Sequence, residues 1–298
     1  MVIELEKVKN NVRVMRELTD RGNCELGLVT KSFCADPEIV KAIDSVGIDF
    51  FADARIQNLE SYKEIKTPKM LLRLPQHCEI EKVVSFADMS LNSELSTIKL
   101  LDQEAAKQGK THKVVLMIDL GDLREGIFFK DEDIIMSTVE EILKLKNIKL
   151  HGVGVNLTCY GAVIPKQDNL STLVEIAGKI ESRFNIKLDM ISGGNSSSIY
   201  LIDKEGLPEG INSLRVGEAF ILGNETAYGE RVEGTFDDAI TFEAQIIELK
   251  EKPTLPIGEI GLDAFGQKPF YEDKGIAKRA ILAVGKQDTD IESMTALD

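Results

Sequence analysis

Between Leu26 and Val216 the chain repeats one alternation: a short apolar run, then a longer stretch whose apolar residues recur at helical spacing. The first runs are Leu26-Gly27-Leu28-Val29, Ile48-Asp49-Phe50-Phe51-Ala52, Met70-Leu71-Leu72-Arg73-Leu74 and Ala87-Asp88-Met89-Ser90-Leu91. The others are Val114-Val115-Leu116-Met117-Ile118, Leu150-His151-Gly152-Val153-Gly154-Val155, Leu188-Asp189-Met190-Ile191 and Ser213-Leu214-Arg215-Val216. Helical patterns lie between them, over residues 36–46, 94–108, 131–146 and 167–184. Asp36-Pro37 marks one helix start, an N-cap residue followed by Pro at the first helical position. Apolar runs of this kind suit strands buried on both faces, and intervening helices make neighbouring strands parallel. Eight such strands predict a (β/α)8 TIM barrel. The second, third and fourth runs are weakly marked, so a doubly wound open sheet stays open as an alternative.

The ends of the chain read differently. Val2-Ile3-Glu4-Leu5 alternates like an edge strand, and Val8, Val12, Met15 and Leu18 predict an amphipathic helix over residues 6–19. Near Asn224 the pattern changes. Residues 239–249 alternate apolar and polar, 280–284 form a short apolar run, and Pro253, Pro256, Gly258, Gly261 and Gly266 punctuate the stretch between. The expected division is a barrel over residues 6–223 and a small β-rich domain over 224–298, which strand 2–5 could join.

Charge and composition narrow the function classes. Lys+Arg number 36 and Asp+Glu 50, a net charge of −14. Binding to duplex nucleic acid or to an anionic membrane surface calls for a basic face, so neither is expected. Cys24, Cys34, Cys78 and Cys159 form no Cys-x-x-Cys pair and no disulfide framework, which suits a reducing cytoplasm. The only histidines, His77, His112 and His151, lack metal-ligand spacing, and no metal is expected. Residues 1–20 hold no continuous apolar run that would act as a signal peptide or membrane span.

In a barrel of this class, chemistry gathers at the C-terminal ends of the strands. The first strand delivers Lys31. At an apolar mouth a lysine is partly desolvated and nucleophilic, able to form a Schiff base with an aldehyde cofactor; it can equally end a strand facing solvent. The fifth delivers Asp119-Leu120-Gly121-Asp122-Leu123-Arg124, either an Asp-capped loop or an arginine over the mouth. The sixth delivers Asn156, then Thr158, Cys159 and Tyr160, a packing tyrosine or a general acid–base. The seventh gives Ser192-Gly193-Gly194-Asn195-Ser196-Ser197-Ser198, whose glycines, hydroxyls and a helix expected from Ser196 suit a phosphate. The eighth gives Arg215-Val216-Gly217-Glu218, with a backbone donor at Gly217. A nucleophilic lysine facing a phosphate loop, with arginines between, suits pyridoxal 5′-phosphate (PLP) better than a sugar phosphate.

These segments, together with Val29-Thr30-Lys31 and Gly154-Val155-Asn156-Leu157, resemble the fold-type III PLP enzymes of the alanine racemase superfamily, and most closely the ornithine racemase-like branch. The resemblance runs over nearly the whole chain. It implies that Lys31 carries the cofactor and that Arg124 lies near the cofactor's phenolic oxygen. It further implies that Asn195-Ser196 supplies the phosphate-binding serine, with Gly217 and Glu218 donating backbone N–H groups. Arg215 then hydrogen-bonds the pyridine nitrogen. An arginine there cannot hand over a proton, so charge spreads less fully into the ring and transamination is disfavoured.

The implied activity is racemisation of ornithine or another basic amino acid, with one base on each face of Cα. Lys31 serves one face. The family's second base is a tyrosine of the partner subunit in a Gly-Tyr-x-x-Gly pattern, where this chain reads Ile257-Gly258-Glu259-Ile260-Gly261. Tyr160, Cys159 and Tyr271 are the candidates that remain. A second departure follows Lys31, where alanine racemases carry a phosphate-binding tyrosine and this chain has Ser32-Phe33-Cys34-Ala35. The resemblance also implies a head-to-tail homodimer and a β domain that continues past the equivalent of Asp298. Three other readings stay open: a non-catalytic PLP-binding homeostasis protein, a PLP aldolase or dehydratase, and a cofactor-free barrel that binds a sugar phosphate.

Overall fold

The computed structural model describes residues 1–290. The chain divides into two compact units, one over Ile3–Ile240 and one combining Met1–Val2 with the residues from Thr241 onward.

The larger unit is built on eight parallel strands. These are β1 (Glu25–Val29), β2 (Phe50–Asp53), β3 (Lys69–Leu71), β4 (Met89–Asn92), β5 (His112–Asp119), β6 (Ile148–Gly154), β7 (Met190–Asn195) and β8 (Ser213–Val216). Each pairs with the next, and β8 pairs back onto β1 with Leu214 opposite Leu26. The ring is closed, which removes the open-sheet alternative and leaves no bare strand edge.

The apolar run in β5 shows why such strands lack alternation. Val114, Leu116 and Ile118 pack into the layer under the helices, while Val115 and Met117 fill the barrel interior with Val29, Phe50, Met70 and Met190. Both faces are buried, so both must be apolar. The three weakly marked strands are short, β3 holding only three residues. Lys69 sits within it, 7% exposed, and its Nζ donates to the Ile65 carbonyl at 2.5 Å. A strand that buries a lysine at its start loses the apolar signature.

The helices are α1 (Leu5–Arg21), α2 (Pro37–Asp44), α3 (Ile56–Ser61), α4 (Ile80–Phe86), α5 (Leu95–Gln108), α6 (Glu132–Leu143), α7 (Gln167–Phe184), α8 (Tyr200–Lys204) and α9 (Glu218–Leu222). α7 follows its predicted bounds, burying Leu170, Leu173, Ile176, Ala177 and Ile180 along one stripe. α2 starts as predicted, with the Asp36 carboxylate accepting from the N–H groups of Glu38 and Ile39 at 3.0 and 3.2 Å. α1 also buries Asn11, outside the apolar pattern, because its amide donates to the carbonyls of Phe220 and Phe236 at 2.9 and 2.7 Å.

The helix expected from Ser196 is a 3-10 turn over Ser196–Ser198, followed by the five-residue α8. The Asn195 carbonyl oxygen of the side chain accepts the Ser197 N–H at 2.9 Å and Ser198 Oγ donates to the Gly193 carbonyl at 2.7 Å. These local bonds tighten the chain before an α-helix can form.

The second unit contains an antiparallel pair, β9 (Ile246–Pro253) and β10 (Ile276–Leu282), with Leu249 opposite Ala280 and Pro253 opposite Ile276. Both strands are shifted from the apolar stretches expected at 239–249 and 280–284, overlapping them only at 246–249 and 280–282. The ladder recruits charged residues instead, Glu251 standing opposite Lys278, an opposite-charge pair.

Candidate active site

A cavity of about 290 Å3 opens at the C-terminal ends of the barrel strands. Seven of the eight strands contribute lining residues. Val29 and Lys31 come from β1, Ala54 from β2, Leu72 and Arg73 from β3, Arg124 from β5, and Asn156, Thr158 and Cys159 from β6. Asn195 and Ser196 follow from β7, with Arg215, Gly217, Glu218 and Thr226 from β8 onward. Lys31, Arg124, Cys159, Asn195, Ser196, Arg215, Gly217 and Glu218, all singled out from sequence, therefore line one cavity, whereas Tyr160 and Tyr271 are not among its lining residues.

Lys31 opens a 3-10 turn, Lys31–Phe33, closed by the Cys34 N–H on the Lys31 carbonyl at 3.2 Å. Beneath it Thr30 is fully buried and its hydroxyl donates to Asp53 at 2.6 Å. The side chain of Lys31 is exposed, against the expectation of partial desolvation. The turn carries it past the last strand residue, and only Phe33 of the turn packs into the core.

Arg215 is the opposite case. It is 2% exposed and lies inside the ring of strands. Its guanidinium donates to Ser192 Oγ, to the Val155 carbonyl at 2.7 Å and to Asn156 Oδ1 at 2.6 Å. Burial lowers its pKa to about 10, partly offset by Glu125, so the group stays cationic at neutral pH. A buried cation needs paired acceptors, and these supply them. Of its five N–H donors, the Nε–H and one Nη1–H have no acceptor among the described residues.

The β5 loop sets Arg124. Asp119 Oδ1 accepts the N–H groups of Gly121 and Leu123 at 2.8 and 3.1 Å, so the Asp-capped loop and the arginine at the mouth are one structure. Gly126 ends the loop at φ +130°, where a Cβ would stand 2.6 Å from the Asp119 nitrogen. Arg124 Nε pairs with Glu125 at 2.7 Å, and its Nη1 donates to Cys159 Sγ at 3.0 Å.

Asp122 is fully buried and fastens the β6 loop to the β5 loop. Its carboxylate accepts the N–H groups of Cys159, Tyr160 and Val163 at 3.4, 2.9 and 3.0 Å. This pins the Tyr160 backbone and leaves the ring 78% exposed, outside the cavity. A phenol placed there is not among the groups that meet a molecule in the mouth.

On the far wall, Ser196 Oγ accepts the N–H groups of Gly217 and Ala219 at 3.1 and 3.3 Å and keeps its own proton to donate. Glu218, the first residue of α9, has an N–H with no intrahelical acceptor. Gly194 adopts φ +114°, and a Cβ there would lie 2.7 Å from Ser198 Oγ, so glycine is required beside this cradle. The donor set fits PLP: an N–H group and a hydroxyl for a phosphate, two spare guanidinium N–H groups for a ring nitrogen, and a lysine amine at the same mouth.

A cavity of about 430 Å3 lies at the opposite ends of the strands, lined among others by Lys69, His112 and Lys110. Two of its four lysines are spent on structure, Lys69 on the Ile65 carbonyl and Lys110 on the Val84 carbonyl at 2.9 Å.

Several functional groups escape a reading of the sequence. Asp122 sits within the quoted β5 segment and Glu125 directly follows it, where their acidity is the only signal. Ser192 and Asn156 are visible only as strand-end polar residues.

The profile described as "Alanine racemase, N-terminal domain" matches residues 3–225. An ornithine racemase of Acetoanaerobium sticklandii is 57% identical over 298 residues, covering 100% of this chain and 84% of that protein. A lysine racemase of Thermotoga maritima is 35% identical over 300 residues, covering 100% of this chain and 83% of that protein. Among solved structures, an alanine racemase of Clostridium difficile 630 shares the fold at TM-score 0.65 and 19% identity, covering 93% of this chain and 71% of that one. With most of its length matched by the family profile and a full-length relative at 57% identity, the chain belongs to the alanine racemase family.

Proposed function

We propose that the chain is a PLP-dependent amino-acid racemase, an isomerase that interconverts the enantiomers of ornithine or a related basic amino acid. One observation carries the reading: a single cavity at the strand ends gathers a lysine, a phosphate-type cradle and a buried, still-charged arginine. The full-length similarity to an ornithine racemase and a lysine racemase supports the substrate class.

When bound, PLP supplies an electron sink that acidifies the substrate's Cα–H. The chain's own residues do the rest. The Ser196 hydroxyl and the Glu218 N–H would bind the phosphate, with Asn195 shaping the turn and Gly217, whose N–H is donated to Ser196 Oγ, allowing the close approach. Arg215 donates to the ring nitrogen and, staying protonated, gives it no proton. Arg124 meets negative charge on the phenolic oxygen. Lys31 would hold the cofactor through its aldehyde carbon and, once freed by substrate, would move the Cα proton on one face. Of the candidates for the second base, Cys159 lines the cavity, while Tyr160 is exposed and is not among the lining residues.

The second unit leaves Ile247, Leu249, Ile257, Leu262 and Phe270 exposed, which supports a homodimer. The free thiols of Cys24, Cys34, Cys78 and Cys159 support a cytoplasmic location. No helix among the described residues is long and apolar enough to cross a membrane.

The test is the visible absorption of the purified protein with PLP, before and after L-ornithine, followed by chiral analysis. A band that shifts and D-ornithine in the product are expected. A band without Cα proton exchange in deuterated water would favour a non-catalytic PLP protein. No band with excess PLP would remove the cofactor assignment.

A further inference from the structure

No hydrogen bond, ion pair or ring contact involves the Lys31 side chain among the described residues. The place of its amine is therefore set by the backbone that carries it.

That backbone turns sharply, and against its preference. Thr30 stands at φ −95° and ψ −4°, which ends the extended run of β1 and opens the turn Lys31–Phe33. Cys34 and Ala35 follow at φ +51° and +55°, two successive residues in a region that side chains with a Cβ rarely adopt. Such a turn persists only where its surroundings over-determine it. Thr30 supplies much of that hold. Its N–H donates to the Ala52 carbonyl at 2.9 Å, its carbonyl accepts the Ala35 N–H at 3.1 Å, and its hydroxyl donates to Asp53 Oδ2 at 2.6 Å.

Asp53, the last residue of β2, is fully buried and forms no ion pair among the described residues. Burying a carboxylate without a cation beside it is costly. Its Oδ1 accepts the Arg55 N–H at 2.8 Å and the Asn58 amide at 3.0 Å, which ties it to the start of α3. An asparagine would accept both of those bonds. What the carboxylate adds is a second acceptor, Oδ2, turned to the Thr30 hydroxyl in a short, charge-assisted bond. The buried charge thus serves the residue that precedes the lysine.

We propose that Asp53 is a positioning residue for Lys31: by holding the Thr30 hydroxyl it fixes the strand end from which the lysine leaves, and so sets how readily the amine meets the cofactor's aldehyde carbon. The inference rests on the PLP reading above.

The experiment adds PLP to the cofactor-free protein and follows the band that grows as the Lys31 amine joins the aldehyde carbon with loss of water. Borohydride then traps the product, and the mass of the Lys31 peptide is read. Turnover of L-ornithine and melting temperature complete the set. Thr30→Val, which keeps the shape and removes the donor, and Asp53→Asn, which keeps the shape and removes the charge, are compared with Thr30→Ser and Asn58→Ala. Thr30→Val and Asp53→Asn are expected to slow band growth and lower kcat by roughly ten- to a hundredfold, with KM little changed. Thr30→Ser, which restores the hydroxyl, should stay close to wild type. Asn58→Ala should lower the melting temperature as much as Thr30→Val does and leave band growth and kcat at their wild-type values. Wild-type band growth in Thr30→Val, or a Thr30→Ser variant as slow as Thr30→Val, would overturn the role of Asp53 alone. Equal slowing in Asn58→Ala would do the same, because the loss would then follow stability. A wild-type protein that carries no PLP on the Lys31 peptide would overturn this inference together with the PLP reading.

Discussion

Arg215 and Glu125 never touch, yet Asn156 joins them: its Oδ1 accepts from the Arg215 guanidinium at 2.6 Å and its amide donates to the Glu125 carboxylate. Glu125 in turn pairs with Arg124 at 2.7 Å. A cation buried in the barrel and a cation at its mouth thus share one carboxylate through one amide. Removing the amide, by Asn156→Ala, should destabilise the fold by about 1–3 kcal/mol, because buried donors lose their acceptor. Arg215→Met should cost at least as much. The two losses should be less than additive in a double-mutant cycle read by urea denaturation. Strict additivity would mean that the three side chains do not act as a network.

Lys31→Ala should remove both the covalently shifted cofactor band and racemisation, with the melting temperature little changed. Lys31 is exposed and donates no side-chain bond that the fold depends on. Turnover surviving in this variant would end the assignment of Lys31.

Asp122 holds three amides of the β6 loop. Asp122→Ala should cost about 2 kcal/mol and speed hydrogen exchange at the Tyr160 and Val163 amides. Unchanged exchange there would show that the loop is held by other contacts.

Stability should fall on mild acidification because of His112. The ring is 2% exposed at the start of β5, 2.8 Å from Ser90 Oγ, and burial holds its pKa down at about 4. Above its ordinary value of 6.5 both folded and unfolded chains carry it neutral. Between 6.5 and about 4 the unfolded chain takes up a proton that the folded one refuses. The stability present above 6.5 is therefore lost as pH falls through this window, by about 3 kcal/mol in all. Urea midpoints at pH 7 and 4.5 should converge in His112→Gln relative to wild type.

Gly126→Ala should destabilise by about 1–3 kcal/mol, since its φ and the nearby Asp119 nitrogen both reject a Cβ. Gly178→Ala, exposed within α7 with nothing within 4 Å of the added Cβ, should instead stabilise by about 1 kcal/mol. Thermal denaturation of the pair checks both signs.

How much of this was readable beforehand divides by the range of the forces. The strand–helix alternation, the β5 run, α7 and the Asp36 cap follow from neighbours a few residues apart. Eight strands with crossovers made the closed barrel the expected fold, but only the pairing of β8 with β1, between segments far apart in the chain, excludes the open sheet. Residue type and position along each strand also brought Lys31, Arg124, Asn195, Ser196, Arg215, Gly217 and Glu218 under suspicion. Their partners were not legible. That Asp122 ties down Tyr160 and that Asn156 links Arg215 to Glu125 depend on which strand ends become neighbours. So does the exposure of Lys31, which the turn after β1 lifts clear of the core. Strand registers are chosen when the barrel closes around its apolar interior, and hydrogen bonds between distant loops form only once that closure has brought them within reach.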